Sequence, residues 1–107
     1  MNDISIEYGI LISGEYDILE SRMEESKSLP FLAYDESSEC WSFCDDEEEY
    51  YIEGHPHCAE VAPGYKYFVT FGKDSSSSTE PIFAGVVREW FKSKEIKTEW
   101  GTIHTER

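Results

Sequence analysis

The sequence predicts an α+β domain in which an antiparallel sheet of about five strands carries two helices packed on one face. Three observations predict it. Apolar and polar residues alternate near the N-terminus, two later stretches repeat at helical spacing, and polar clusters cut the middle of the chain into short apolar pieces. A chain of 107 residues, 39% apolar and 15% aromatic, can close one modest core, so residues 1–107 are expected to form a single domain.

Ile4, Ile6, Tyr8, Ile10 and Ile12 hold every second position, which predicts a half-buried strand over residues 4–12. Ser13 and Gly14 end it. Tyr16, Leu19 and Met23 then fall at i, i+3 and i+7, with Ile18 alongside, predicting a helix over residues 15–27. Ser13 is the expected cap, Glu15 and Asp17 suit the positive end of the dipole, and Pro30 closes the segment. Residues 31–34, 40–44 and 50–52 are short apolar pieces, and their spacing predicts an antiparallel meander. In residues 40–44, alternation places Trp41 and Phe43 on one face and Cys40, Ser42 and Cys44 on the other.

Residues 54–64, rich in Gly, Pro and His, are expected to be a loop, and residues 65–71 (YKYFVTF) are the clearest strand. A polar loop over residues 73–79 follows. Thr79 as cap and Pro81 in the first turn would start the second helix, which carries Ile82, Phe83, Val86, Val87, Trp90 and Phe91 on one side. A short strand over residues 82–87 competes with that helix. Residues 95–105 are expected to form a last strand with Trp100 and Ile103 on opposite faces, so the main core covers only one of them.

The net charge of −14 is unevenly spread: residues 1–64 hold 17 acids against Arg22 and Lys27, whereas residues 65–107 hold six acids against seven bases. Such a charge repels nucleic acid and anionic membrane and attracts cationic partners. Neither direct DNA or RNA binding nor membrane binding is expected. No window approaches the roughly 20 apolar residues of a membrane span. The first residues show no basic stretch followed by an apolar core, and three cysteines are an odd number for a disulfide framework. A cytoplasmic location is the expectation.

Chemistry concentrates in residues 39–58, ECWSFCDDEEEYYIEGHPHC. Cys40, Cys44, His55, His57 and Cys58 are zinc candidates by donor type. On an extended strand, however, Cys40 and Cys44 lie about 13 Å apart, too far to share an ion. The expectation is no cofactor and no metal. Five consecutive carboxylates at residues 45–49 alternate faces in a strand and cannot all grip one calcium ion. A cysteine nucleophile beside histidine would sit among negative charges that raise a thiol pKa, and no catalytic or phosphate-binding motif occurs, so an enzyme is not expected. What is left is an acidic, aromatic binding face comprising Asp35, Glu36, Glu39, Trp41, Asp45, Asp46, Glu47, Glu48, Glu49, Tyr50, Tyr51 and Glu53.

That face predicts a stoichiometric inhibitor that captures a basic protein, a toxin or a nucleic-acid-binding protein, by electrostatic steering. In size and charge the chain is similar to bacterial immunity proteins that neutralise nuclease toxins, and to phage-type proteins that mimic DNA. The first class implies one acidic patch complementary to a cleft, the second implies carboxylates in rows. A small zinc-stabilised interaction module is the third alternative.

Overall fold

The protein is described from a computed structural model that covers residues 4–26, 29–46, 48–54, 58, 63–73 and 79–106. Among these residues it is α+β, with two helices and one antiparallel sheet of six strands rather than about five. The elements run β1 (Ile4–Ser13), α1 (Tyr16–Glu25), β2 (Leu32–Asp35), β3 (Cys40–Cys44), β4 (Glu49–Gly54), β5 (Tyr65–Lys73), α2 (Ile82–Ser93) and β6 (Thr98–Glu106). Strands β2 to β4 form the expected meander, β5 continues it beyond the expected three strands, and β1 pairs with both β5 and β6, giving the order β2-β3-β4-β5-β1-β6. The predicted loop at residues 73–79 lies mostly outside the described residues.

Alternation along β1 divides the interior in two. Ile10 and Ile12 point to the same side as Val69 of β5, Trp41 and Phe43 of β3, and Ile52 of β4. Both helices bury their apolar side chains in this cluster: Leu19 and Met23 from α1, and Ala84, Val87, Trp90 and Phe91 from α2. Aromatic rings interlock within it, Phe43 lying edge-on to Trp90 and Phe91 at centroid distances of 6.0 and 5.5 Å. Leu11 faces the other way, and packs with Phe68, Ile103 and Cys58 in a smaller cluster on the opposite side of the sheet. Trp100 packs against the main cluster while Ile103 is fully buried in the second, so the last strand is covered on both faces as its sequence requires.

Two glycines make the second cluster possible. Gly9 and Gly101 sit opposite each other on β1 and β6. A Cβ at Gly9 would overlap the Val69 carbonyl and approach the Phe68 ring, beside an irregularity in the β1–β5 register, and a Cβ at Gly101 would come within 2.8 Å of Leu11 Cδ1. Large side chains therefore occupy the space that the glycines leave.

The helix ends differ from expectation. Ser13 does not cap α1: its Oγ donates to the Lys97 carbonyl at 2.9 Å, tying the end of β1 to the start of β6. Glu15 holds the N-cap position without a side-chain bond, and its carboxylate accepts from Lys66 Nζ at 2.8 Å. Thr79 does not cap α2 either, because the helix begins one residue after Pro81, which is itself at the N-cap. Residues 82–87 are helical, not a strand. Within α2 the buried side is centred on Ala84, Val87 and Phe91, leaving Ile82 91% and Val86 45% exposed. At 100° per residue Ile82 falls about 170° and Val86 about 130° from that centre, on the side of the helix turned away from the core.

Helix α2 closes in a Schellman motif. The Ile96 N–H donates to the Phe91 carbonyl and the Glu95 N–H to the Lys92 carbonyl, both at 3.0 Å, and Ile96 is buried. Glu95 takes the left-handed position (φ 63°) that glycine ordinarily fills. Arg88 then straps the helix, its Nη1 reaching both Glu80 carboxylate oxygens (3.1 and 2.9 Å) and its Nε donating to Thr98 Oγ1 at 3.3 Å.

Glu95→Gly is expected to raise unfolding stability by about 1 kcal/mol in urea titrations, by removing left-handed strain and a negative charge from a helix C-terminus. Gly9→Ala is expected to cost about 3 kcal/mol in the same assay, since a backbone carbonyl cannot yield as a side chain can.

Candidate functional site

The acidic stretch is built on the β2–β3–β4 half of the sheet. Register places Ala33 beside Ser42, Asp35 beside Cys40, Ser42 beside Tyr51 and Cys44 beside Glu49, so these residues share the face turned away from the main core. Glu53 follows by alternation. On this face Glu49 and Glu53 are exposed, while Asp35, Cys44 and Tyr51 are half-buried. The turns at the two ends of β3 add Glu36 and Glu39 at one end and Asp46 and Glu48 at the other, all exposed. Those ends are about 13 Å apart along the strand, so the carboxylates line a face instead of crowding one point. Residues 28–65 contain no lysine or arginine to offset them.

Three members of the expected face behave differently. Trp41 is 1% exposed and belongs to the main core, with its ring 5.0 Å from that of Tyr34, so it offers no contact surface. Its Nε1 is buried without a hydrogen-bond partner among the described residues. Tyr50 also points to the core side, stacked on Phe71 at 4.3 Å and near Phe83 at 5.8 Å. The same alternation that puts Tyr51 outward sends Trp41 and Tyr50 inward. Asp45, the third, builds the hairpin: its N–H donates to the Glu48 carbonyl (3.0 Å), its Oδ1 accepts the Glu48 N–H (2.8 Å), and its Oδ2 accepts the Tyr50 hydroxyl (3.2 Å). Glu47 lies outside the described residues.

The hydrogen bonds show how the chain tolerates so many like charges. Asp35 Oδ1 accepts from the Ser37 N–H at 2.9 Å and the Ser37 hydroxyl at 2.7 Å, and these bonds hold its carboxyl below the usual range. Tyr51 donates to Glu49 Oε2 at 2.8 Å, and that bond raises the Tyr51 phenol. Burial, reinforced by Asp45 and Glu48, pushes the Tyr50 phenol up to about 12. Tyrosine hydroxyls thus supply the donors that a lysine would supply elsewhere.

The zinc candidates are divided between two surfaces. Cys40 and Cys44 lie on the outward face of β3, the Cys40 thiol donating to the Ser38 carbonyl at 3.3 Å and the Cys44 sulfur 3.7 Å from Ser42 Oγ. Cys58 is fully buried with Leu11, Phe68 and Ile103, and its thiol points to the Tyr67 carbonyl at 3.6 Å. Burial, with Glu7 adding to the effect, pushes that thiol up to about 11, so it stays protonated at neutral pH and is a poor nucleophile or metal ligand. His55 and His57 lie outside the described residues. Among the described residues no three His, Cys, Asp or Glu side chains are grouped to hold a metal ion, and no helix is long and apolar enough to cross a membrane.

Sequence reasoning missed two features. Phe31, Pro30 and Phe83 form a shallow depression with Cys44, Asp45 and Asp46, which sets apolar surface against the acidic hairpin, next to the exposed Ile82. A deeper cleft of about 380 Å³ opens between α1 and the ends of β3, β4 and β5. Neither has a signature in the sequence, because each is assembled from elements distant along the chain. No family model, curated protein or solved structure matches this chain.

The Tyr50 phenol is neutral in the fold and ionises more readily once unfolded, near pH 10, so its contribution is complete below pH 10 and is lost as pH rises towards 12. Tyr50→Phe is expected to flatten the fall in stability across that alkaline window, as followed by urea unfolding, and to remove one of the late-titrating phenols from the ultraviolet absorbance titration.

Proposed function

We propose that this protein is a stoichiometric inhibitor that binds a basic protein through the outward face of the β2–β3–β4 half of its sheet, in the manner of an immunity protein against a nuclease-type toxin. The observation that carries the reading is the composition of that face. Asp35, Glu49 and Glu53 surround Tyr51, acidic turns flank them, and residues 28–65 supply no lysine or arginine. A field of one sign spread over a rigid sheet steers a cationic partner and selects against anionic ones. Tyr51 gives the centre of the face a planar side chain already held in place by Glu49, and the apolar depression at Phe31 and Phe83 extends the contact beyond the charges.

The test is capture of a basic protein from the native cell lysate at about 50 mM salt and its release at about 500 mM, followed by titration of the captured protein's own activity. Activity is expected to vanish at a one-to-one ratio. The variant Asp46→Asn/Glu48→Gln/Glu49→Gln leaves the Asp45 turn intact and is expected to bind at least tenfold more weakly, with a flatter salt dependence. Equal affinity of the variant, or a partner whose activity survives saturation, would overturn the reading.

A further inference from the structure

The cleft between α1 and the sheet has the chemistry of a cation site, and it opens on the helix side of the sheet while sharing Glu39 and Glu53 with the edge of the outward acidic face. Its wall is apolar and aromatic: Leu19 and Tyr16 come from α1, Trp41 from β3 and Tyr67 from β5. Tyr16 and Tyr67 stand at one side with ring centroids 6.2 Å apart and an interplanar angle of 44°. Glu39 and Glu53 are the charged residues among those that line it, and no basic residue does. A cavity of about 380 Å³ lies within the range of small-molecule sites, in which apolar walls supply area and a few polar groups set orientation.

Glu39 adds an independent sign. It occupies the left-handed region (φ 56°) in the turn between β2 and β3, where a residue with a Cβ is disfavoured and glycine would relieve the strain. A carboxylate is thus held at the cleft at a conformational cost, the kind of outlier that collects at binding sites. The negative field is local as well. Glu20 pushes the Tyr16 phenol up to about 12, and both Glu20 and Glu39 act electrostatically on Tyr34 beside Trp41. Lys66, next to Tyr67 in the chain, is engaged by Glu15 at 2.8 Å.

We propose that this cleft binds an alkylammonium group, its apolar stem entering beside Cys40 and Gly54 over the floor formed by Leu19 and Trp41, its charge facing the aromatic rings of Tyr16 and Tyr67, and Glu39 and Glu53 supplying the counter-charge. Aromatic faces attract an ammonium through their quadrupole, most strongly where water is excluded, and carboxylates at the mouth add attraction and select against neutral or anionic competitors. A mixed aromatic and acidic lining suits a cation with an apolar body better than a metal ion, which would demand oxygen donors on several sides. A free amine and a lysine side chain carry the same group. The proposal does not depend on the inhibitor role.

Nuclear magnetic resonance titration of the intact protein tests it, with butyltrimethylammonium, n-butylamine, N-acetyl-lysine amide and the neutral pentanol as probes. Saturable shifts of the Trp41 indole, Tyr16 and Tyr67 resonances are expected for the cations, with Kd on the order of 1 mM. Binding of all three cations points to a protein lysine as a source; binding of the free amines without the lysine amide points to a small-molecule amine. Glu39→Gln/Glu53→Gln changes two exposed side chains and is expected to weaken the cations about tenfold. Gly54→Leu places a side chain at the cleft, where a Cβ would meet only the Tyr67 ring at 3.7 Å, and is expected to abolish binding while the urea unfolding curve is retained. No saturable shift, affinity for pentanol equal to that for the cations, or unchanged affinity in the double glutamine variant would each overturn the proposal.

Discussion

The period of two along β1 is the constraint on which the rest depends. One strand, paired on both sides, sends Ile10 and Ile12 to the helices and Gly9 and Leu11 to the opposite face. A slip of one residue would exchange the two sets and turn Glu7, Gly9 and Ser13 towards the helices in place of the isoleucines. The glycine pair Gly9 and Gly101 reinforces that register, because only in this pairing do the Phe68 ring and Leu11 find room over bare backbone.

From that central strand the two halves of the sheet diverge in character. The β5–β1–β6 half is packed on both faces, the second by Leu11, Phe68, Ile103 and Cys58. The β2–β3–β4 half buries one face with Trp41, Phe43 and Ile52 and carries carboxylates on the other. Stability and charge are therefore separated in space. Like charges gathered on a face cost some stability through repulsion, but the apolar side of the same strands, with its interlocked aromatic rings, offsets this. Local bonds help, since Ser37, Tyr50 and Tyr51 each give a carboxylate a donor that bulk water would otherwise provide.

This separation gives the acidic face its meaning as a binding surface. A charged face on a mobile loop would lose affinity to ordering, whereas strands backed by a closed core hold Asp35, Tyr51 and Glu49 at set positions before any partner arrives. The cleft beside α1 is a different kind of place. It exists because Gly54 and the turn at Glu39 leave space where strand ends meet a helix, and its lining mixes residues from four elements.

The sequence by itself determined the α+β class, the alternation of β1, the meander, the helix at α2 and the two-sided burial of β6, because each is written in the spacing of neighbouring residues. It also revealed the charge asymmetry. Tertiary structure alone decided which side of each strand met the core, and so turned Trp41 and Tyr50 inward and left Tyr51 outside. Ser13 is the clearest case: local rules make it a helix cap, but the Lys97 carbonyl, 84 residues away, takes its hydroxyl. Ile82 is another, since a broad apolar stripe does not say where its centre lies until the helix is laid on the sheet. The cleft was illegible for the same physical reason, because a cavity belongs to the packing of distant elements and has no period along the chain.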